Sequence, residues 1–134
     1  MATGARLVTL IPIRNMNRAI KFYTKAVGGK LQYRGRGQMR NFWASMKLGD
    51  ADVWFIAPEK HERRTLAYSL FLVKNIKAYV KKLQKNGVRF QRPDRMSSET
   101  RIEGPIAFDS MGASAFFKDS EGNLMMVWQN FPPM

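Results

Sequence analysis

One arrangement of residues is written twice in this chain, and that repetition constrains its fold more than any other feature. Residues 7–13 form a short apolar run with the β-branched side chains that suit a strand. Asn15 follows as an N-cap. Met16, Ala19, Ile20, Tyr23 and Val27 then recur at helical spacing, and Gly28-Gly29 stops the helix before a new strand over 30–34. Residues 68–92 repeat this order sixty positions later. Val8 falls on Tyr68, Ile13 on Val73, Asn15 on Asn75, Met16 on Ile76 and Ile20 on Val80; after one deletion Gly28 falls on Gly87. A strand–helix–strands unit cannot bury its own sheet face alone, so the duplication predicts two such units.

The remaining punctuation extends each copy. Gly35-Arg36-Gly37 reads as a loop, since no helix start follows where a phosphate loop would need one. Strands are predicted over 40–48 and 52–57, with Gly49-Asp50 turning the chain. Residues 58–64 are a polar connector that holds the only histidine, His61. After the second copy, residues 93–105 are a polar loop long enough to be a lid or binding loop. Strands over 113–118 and 124–129 flank a hairpin turn at 119–123. The expected fold is α+β: one domain over 1–134, built from two βαβββ modules, about 5–58 and 65–130. Together they are expected to make a curved, mixed, eight-stranded sheet with helices on the outer face and a central cleft. Period-2 geometry turns Ile11 and Ile13 toward the first helix and Val8, Leu10 and Pro12 toward the cleft. By the repeat, Phe71 and Val73 face the second helix, and Tyr68, Leu70 and Leu72 the cleft.

Composition supports a packed core, with 45% hydrophobic and 12% aromatic residues. The absence of cysteine removes disulfides, thiolate nucleophiles and thiolate metal sites. No apolar run approaches the ~20 residues of a membrane span, and the N-terminus lacks a signal-peptide pattern, so no membrane partner and a cytoplasmic location are expected. Twenty-three basic residues against ten acidic ones leave a net charge of +13, which favours anionic partners. Arg14, Arg18, Lys21 and Lys25 on the first helix, and Lys74, Lys77, Lys81 and Lys85 on the second, lie opposite the apolar stripes. They read as solvated outer faces.

With these residues in place, a resemblance emerges. The segment IPIRNMNRAIKFYTKAVGGKLQYR is similar to the signature of the vicinal oxygen chelate superfamily, which includes glyoxalases, bleomycin-resistance proteins and extradiol dioxygenases. FFKDSEGNLMMVW resembles its second signature, an aromatic strand, an acidic-glycine-asparagine turn and a closing strand. In catalytic members four positions in the first and fourth strands of each unit hold a divalent metal. The resemblance carries these onto Val8, Tyr68, Trp54 and Met126. A hard or borderline cation needs oxygen or imidazole donors. Valine and tryptophan offer none, methionine is soft, and tyrosine ligates only as a phenolate. The expectation is therefore no metal, no cofactor and no catalytic residue.

Apolar and aromatic side chains stand instead: Val8, Leu10, Trp54, Tyr68, Leu70, Met126 and Trp128, with Trp43 or Phe116 nearby. They read either as filled core or as a π-faced pocket for an aromatic or anionic ligand, with Arg101, Arg40 or Arg95 as the anion's partner. Other chemistries find little support. No GxSxG elbow exists, and His61 lies in the connector. Glu99 or Glu103 under a closed lid is the one general base the sequence offers. The favoured function is a metal-independent small-molecule-binding protein of the bleomycin-resistance type, a homodimer by resemblance. A metal-dependent lyase or dioxygenase with a rebuilt site is the alternative. Nucleic-acid binding through the basic surface ranks third, because the aromatics belong to faces predicted to be buried.

Overall fold

The computed structural model describes residues 8–57, 69–95 and 97–132. The chain divides into two compact units, Met1–Arg64 and Thr65–Met134. The first contains β1 (Thr9–Pro12), α1 (Met16–Lys25), β2 (Lys30–Arg34), β3 (Trp43–Leu48) and β4 (Ala51–Ile56). Its sheet has the order β1-β4-β3-β2, with β1 parallel to β4 and the other neighbours antiparallel.

Local chemistry sets the bounds of α1. Asn15 is extended, and its Oδ1 accepts from the backbone N–H of Arg18 at 3.0 Å, satisfying one of the donors that a helix start leaves open. At the other end Gly28 has φ +86°, a conformation that costs glycine nothing and side chains with a Cβ considerably more. The helix lays Met16, Ala19 and Tyr23 on the sheet, where Ile11, Ala44, Met46, Val53 and Phe55 are buried beneath it. The Tyr23 and Phe55 rings are 5.1 Å apart. Full burial of side chains of this size contributes about 1.5–3 kcal/mol each.

The second unit repeats the plan with β5 (Ser69–Leu72), α2 (Ile76–Lys85), β6 (Arg101–Glu103), β7 (Ile106–Phe108), β8 (Gly112–Lys118) and β9 (Leu124–Asn130), in the order β5-β9-β8-β7-β6. Asn75 caps α2 through Ala78 N–H at 3.0 Å, and Gly87, at φ +94°, closes it as Gly28 closes α1. The side chain of Gln129 on β9 accepts from Ile76 N–H at 2.9 Å, so the sheet satisfies a second first-turn donor. Ile76, Val80 and Leu83 bury against Ala113, Ala115, Phe117, Met125 and Val127.

The α+β class and the duplicated module match the sequence reading, while the described strands number four and five instead of four and four. The difference lies between α2 and β8. The predicted strand up to residue 92 reduces to one bridge, Phe90 opposite Phe117, with Gln91 N–H donating to Phe116 C=O at 2.7 Å. Pro93 follows, lacking the N–H that further pairing needs. The other half of β8's free edge is taken by β7, which pairs Ala107 with Ser114 and Phe108 with Ala113, and β6 adds to β7 as a hairpin.

The expected lid over 93–105 is therefore corrected. Its last part is the β6–β7 hairpin, turning at Gly104-Pro105 with Gly104 at φ +56°. Its first part is fastened around Thr100, which is 2% exposed. Thr100 Oγ1 donates to Asp109 at 2.5 Å and accepts from Ser97 N–H at 3.1 Å, while Arg95 donates to Thr100 C=O at 2.7 Å. No described helix is long and apolar enough to cross a membrane.

Candidate functional site

Each sheet has one face under its helix and one face that its helix leaves open, and strand register decides what the open face carries. In the first unit Leu10 pairs with Trp54, and Trp54 with Ser45; Tyr33 on β2 stands opposite Ser45. One step along, Pro12 pairs with Ile56 and Ile56 with Trp43. The rings converge: Tyr33 and Trp43 have centroids 5.1 Å apart, and Trp43 and Trp54 5.4 Å apart at 89°. Edge-to-face contact of this kind directs the positive ring edge at a negative face. Tyr33 and Leu10 remain 46% and 42% exposed, so this face is not closed over as core.

The second unit offers the equivalent face. Leu70 pairs with Met126 in the register that joins Leu10 to Trp54, and Phe116 completes the row. Leu72 pairs with Trp128, and Trp128 with Ser114. Leu70 and Leu72 are 49% and 61% exposed. The Trp128 indole N–H donates to Asn130 Oδ1 at 2.6 Å, which fixes the ring. Its six-membered ring lies where Gly112 lacks a side chain: a Cβ on Gly112 falls 2.4 Å from Trp128 Cζ2.

Of the eight residues named from the sequence, Leu10 and Trp54 come together on one open face, and Leu70, Met126 and Trp128 on the other. Val8 is half-buried just before β1. Tyr68 and His61 lie outside the described residues. Arg101 does not join the set. Its register partner Phe108 pairs with Ala113, which lies under α2; the Arg101 guanidinium sits 4.5 Å from the Phe108 ring centroid and 3.2 Å from Glu103. Lys77 of α2 reaches the same ring and the same carboxylate, at 5.5 and 3.2 Å. Arg101 thus belongs to the helix side of its sheet. Glu103, paired with two cations, is not poised as a base, and Arg95 is engaged by Thr100.

Tyr33 and Ser45 were not legible as members of the open face. The pairing of β2 with β3 slips between Leu31 and Tyr33, so simple alternation along β2 fails there. Ser45 and Ser114 place one hydroxyl each among the apolar side chains of their faces. A hydroxyl donates and accepts, which suits it to orient a polar substituent of a flat molecule.

The positions at which the resemblance calls for metal ligands can be judged by their donors. Val8 has none, the Trp54 indole N–H donates only, and Met126 offers a soft thioether. Among the described residues no group of three or more His, Cys, Asp or Glu side chains lies close enough to hold an ion. Among the described residues, those at these positions do not fit a hard divalent cation.

Comparison with known proteins places these observations. A family model described as the Glyoxalase/Bleomycin resistance protein/Dioxygenase superfamily matches residues 6–127. No curated protein matches the sequence. Among solved structures, the fosfomycin resistance protein FosX from Listeria monocytogenes aligns with a TM-score of 0.68 at 15% identity, covering 95% of this chain and 91% of that one. TnmS3, an antibiotic binding protein from a Streptomyces species, aligns at 0.67 and 20% identity, covering 97% and 98%. A glyoxylase/bleomycin resistance protein/dioxygenase domain from a Frankia species aligns at 0.69 and 18% identity, covering 97% and 93%. At these identities the likeness is one of fold.

Proposed function

The chain belongs to the Glyoxalase/Bleomycin resistance protein/Dioxygenase superfamily, and from that premise we propose that it binds a small aromatic or anionic molecule without a metal. The observation that carries this reading is the Tyr33–Trp43–Trp54 cluster, a run of ring contacts left half open on a sheet face. Stacked and edge-on rings recognise a flat, polarisable ligand, and the Ser45 hydroxyl beside them offers one directional contact. The donor-poor side chains Val8, Trp54 and Met126 support the metal-free part of the proposal. The antibiotic-binding relative TnmS3 supports sequestration over turnover. The excess of 23 basic over 10 acidic residues favours a ligand with a carboxylate, sulfonate or phosphate. The protein is read as a single domain over 1–134, a homodimer, and cytoplasmic.

The test uses the protein as purified and after dialysis against a chelator, with anilinonaphthalene sulfonate as a flat anionic probe and intrinsic tryptophan emission as the readout. Saturable quenching that chelation leaves unchanged supports the proposal. A stoichiometric divalent ion whose removal abolishes binding overturns it, and light scattering checks the dimer.

A further inference from the structure

We propose that the outer face of α2 is a docking surface for the phosphate backbone of duplex nucleic acid, separate from the open sheet faces and independent of any ligand bound there. Residues 69–93 contain seven basic and no acidic side chains. Lys77, Lys81 and Lys85 form one row at i, i+4 and i+8 of the helix, with Lys82 beside it and Lys74 just before the cap, and all five are exposed. Ile76, Val80 and Leu83 are buried on the other side of the helix, against the sheet. Glu103 meets Lys77 at 3.2 Å; among the described residues Lys74, Lys81, Lys82 and Lys85 meet no carboxylate. Helix stability does not explain this row. Like charges four residues apart repel, and Lys74 and Lys77 stand at the end where the helix dipole favours negative charge. A merely solvated face gains from glutamate set four residues from lysine, and α2 has none. An anionic partner offsets the repulsion.

The side chains of the row narrow the partner. Lysine is a compact, strongly hydrated point charge, suited to phosphate oxygens and depleted in the packed cores of protein–protein interfaces. Along the helix axis Lys77, Lys81 and Lys85 are about 6 Å apart, from 1.5 Å per residue, close to two nucleotide rises of ~3.4 Å each. No large apolar side chain of α2 is exposed, and Tyr79 is half-buried against Phe71. A single strand gains from stacking its bases on rings, which this face does not offer, whereas a duplex presents the denser line of charge. An anionic membrane fits less well, because the apolar stripe of α2 is already buried in its own unit and has nothing to insert. Contacts to phosphate alone carry no base readout, so the docking is independent of sequence.

The experiment measures anisotropy of labelled duplex and single-stranded 20-mer oligonucleotides of two unrelated sequences with the full chain, between about 50 and 200 mM salt. Vesicles with phosphatidylglycerol and polyglutamate serve as competing anions. Micromolar binding to both duplexes, at least as tight as to the single strands, is expected. Lys81→Gln with Lys85→Gln should flatten the slope of log affinity against log salt by about 1.8, from ~0.9 per phosphate contact. Lys21→Gln with Lys25→Gln removes the same charge from the exposed face of α1 and should leave the slope unchanged. Glutamine keeps the helix propensity of lysine, and circular dichroism confirms that both variants fold. An unchanged slope in the α2 variant, an equal loss in the α1 variant, a preference for single strands, binding to vesicles or polyglutamate alone, or no binding at the lowest salt would each overturn the proposal.

Discussion

Trp43 and Trp54 meet edge to face on neighbouring strands of the first unit, centroids 5.4 Å apart, on the side of the sheet that α1 does not cover. Neither ring is needed to seal the helix-side core, which Phe55, Met46 and Ala44 fill from the opposite face. Replacing Trp54 by Ala should therefore separate binding from stability. Affinity for anilinonaphthalene sulfonate is expected to fall at least about tenfold, equivalent to ~1.4 kcal/mol, with a smaller effect on the unfolding midpoint than any buried aromatic-to-alanine change, which costs about 3–5 kcal/mol. Titration and urea melts of Trp54→Ala and Phe55→Ala side by side make the check. Equal affinities in Trp54→Ala and the parent protein would remove the ring cluster from the binding site.

Gly112 leaves room for the Trp128 ring and for Gln129 C=O, a requirement of close approach and not of a left-handed backbone. An added methyl falls 2.4 Å from the ring and equally close to Gln129 C=O, so something must move. Gly112→Ala should destabilise by about 1–3 kcal/mol, the usual range for overpacking. It should also shift the Trp128 emission, because the ring and its 2.6 Å hydrogen bond to Asn130 cannot both be kept. Thermal melts and steady-state fluorescence report the two effects separately.

The two N-caps are equivalent, Asn15 to Arg18 N–H and Asn75 to Ala78 N–H, both at 3.0 Å. Asn15→Ala and Asn75→Ala should each cost about 1 kcal/mol, and Asn→Asp should be tolerated because aspartate caps as well and suits the positive end of the helix. For Asn75 the loss should be the smaller, since Gln129 still satisfies Ile76 N–H. Urea midpoints of the four single variants test the ranking.

How much of this was legible in the sequence follows from the range of the physics involved. Caps and stop glycines act within four residues, and Asn15, Asn75, Gly28 and Gly87 read directly. Face assignment along β1 and β5 needs only a period of two, so alternation alone separates Leu10 and Leu70 from Ile11 and Phe71. The β6–β7 hairpin was not legible, because Arg101–Glu103 is three residues long and its partner strand is fixed by β8. For the same reason Arg101 carries no periodic signal of its face: it reads as part of a long loop near the cleft, whereas it stands on β6 beside Phe108 and Glu103. Tyr33 escaped because the slip beside Leu31 breaks the alternation that would have revealed it.

Alkaline pH should reveal the burial of Tyr79. This phenol on α2 lies against Phe71, with centroids 6.4 Å apart, and desolvation raises its pKa above the ordinary 10.0. The folded protein thus keeps the proton in a pH range where the unfolded chain has released it. Stability is linked to the difference in bound protons, so this contribution is complete below about pH 10 and is lost as the pH climbs through the raised value. Tyr79→Phe has no proton to lose. Below pH 10 the difference between the two urea midpoints should be constant, and above it the parent protein should fall away faster than the variant. Every other side chain is common to the two proteins, so its contribution cancels in that difference. Parallel decline of the two midpoints up to pH 11 would mean that Tyr79 ionises in the folded chain as readily as in the unfolded one.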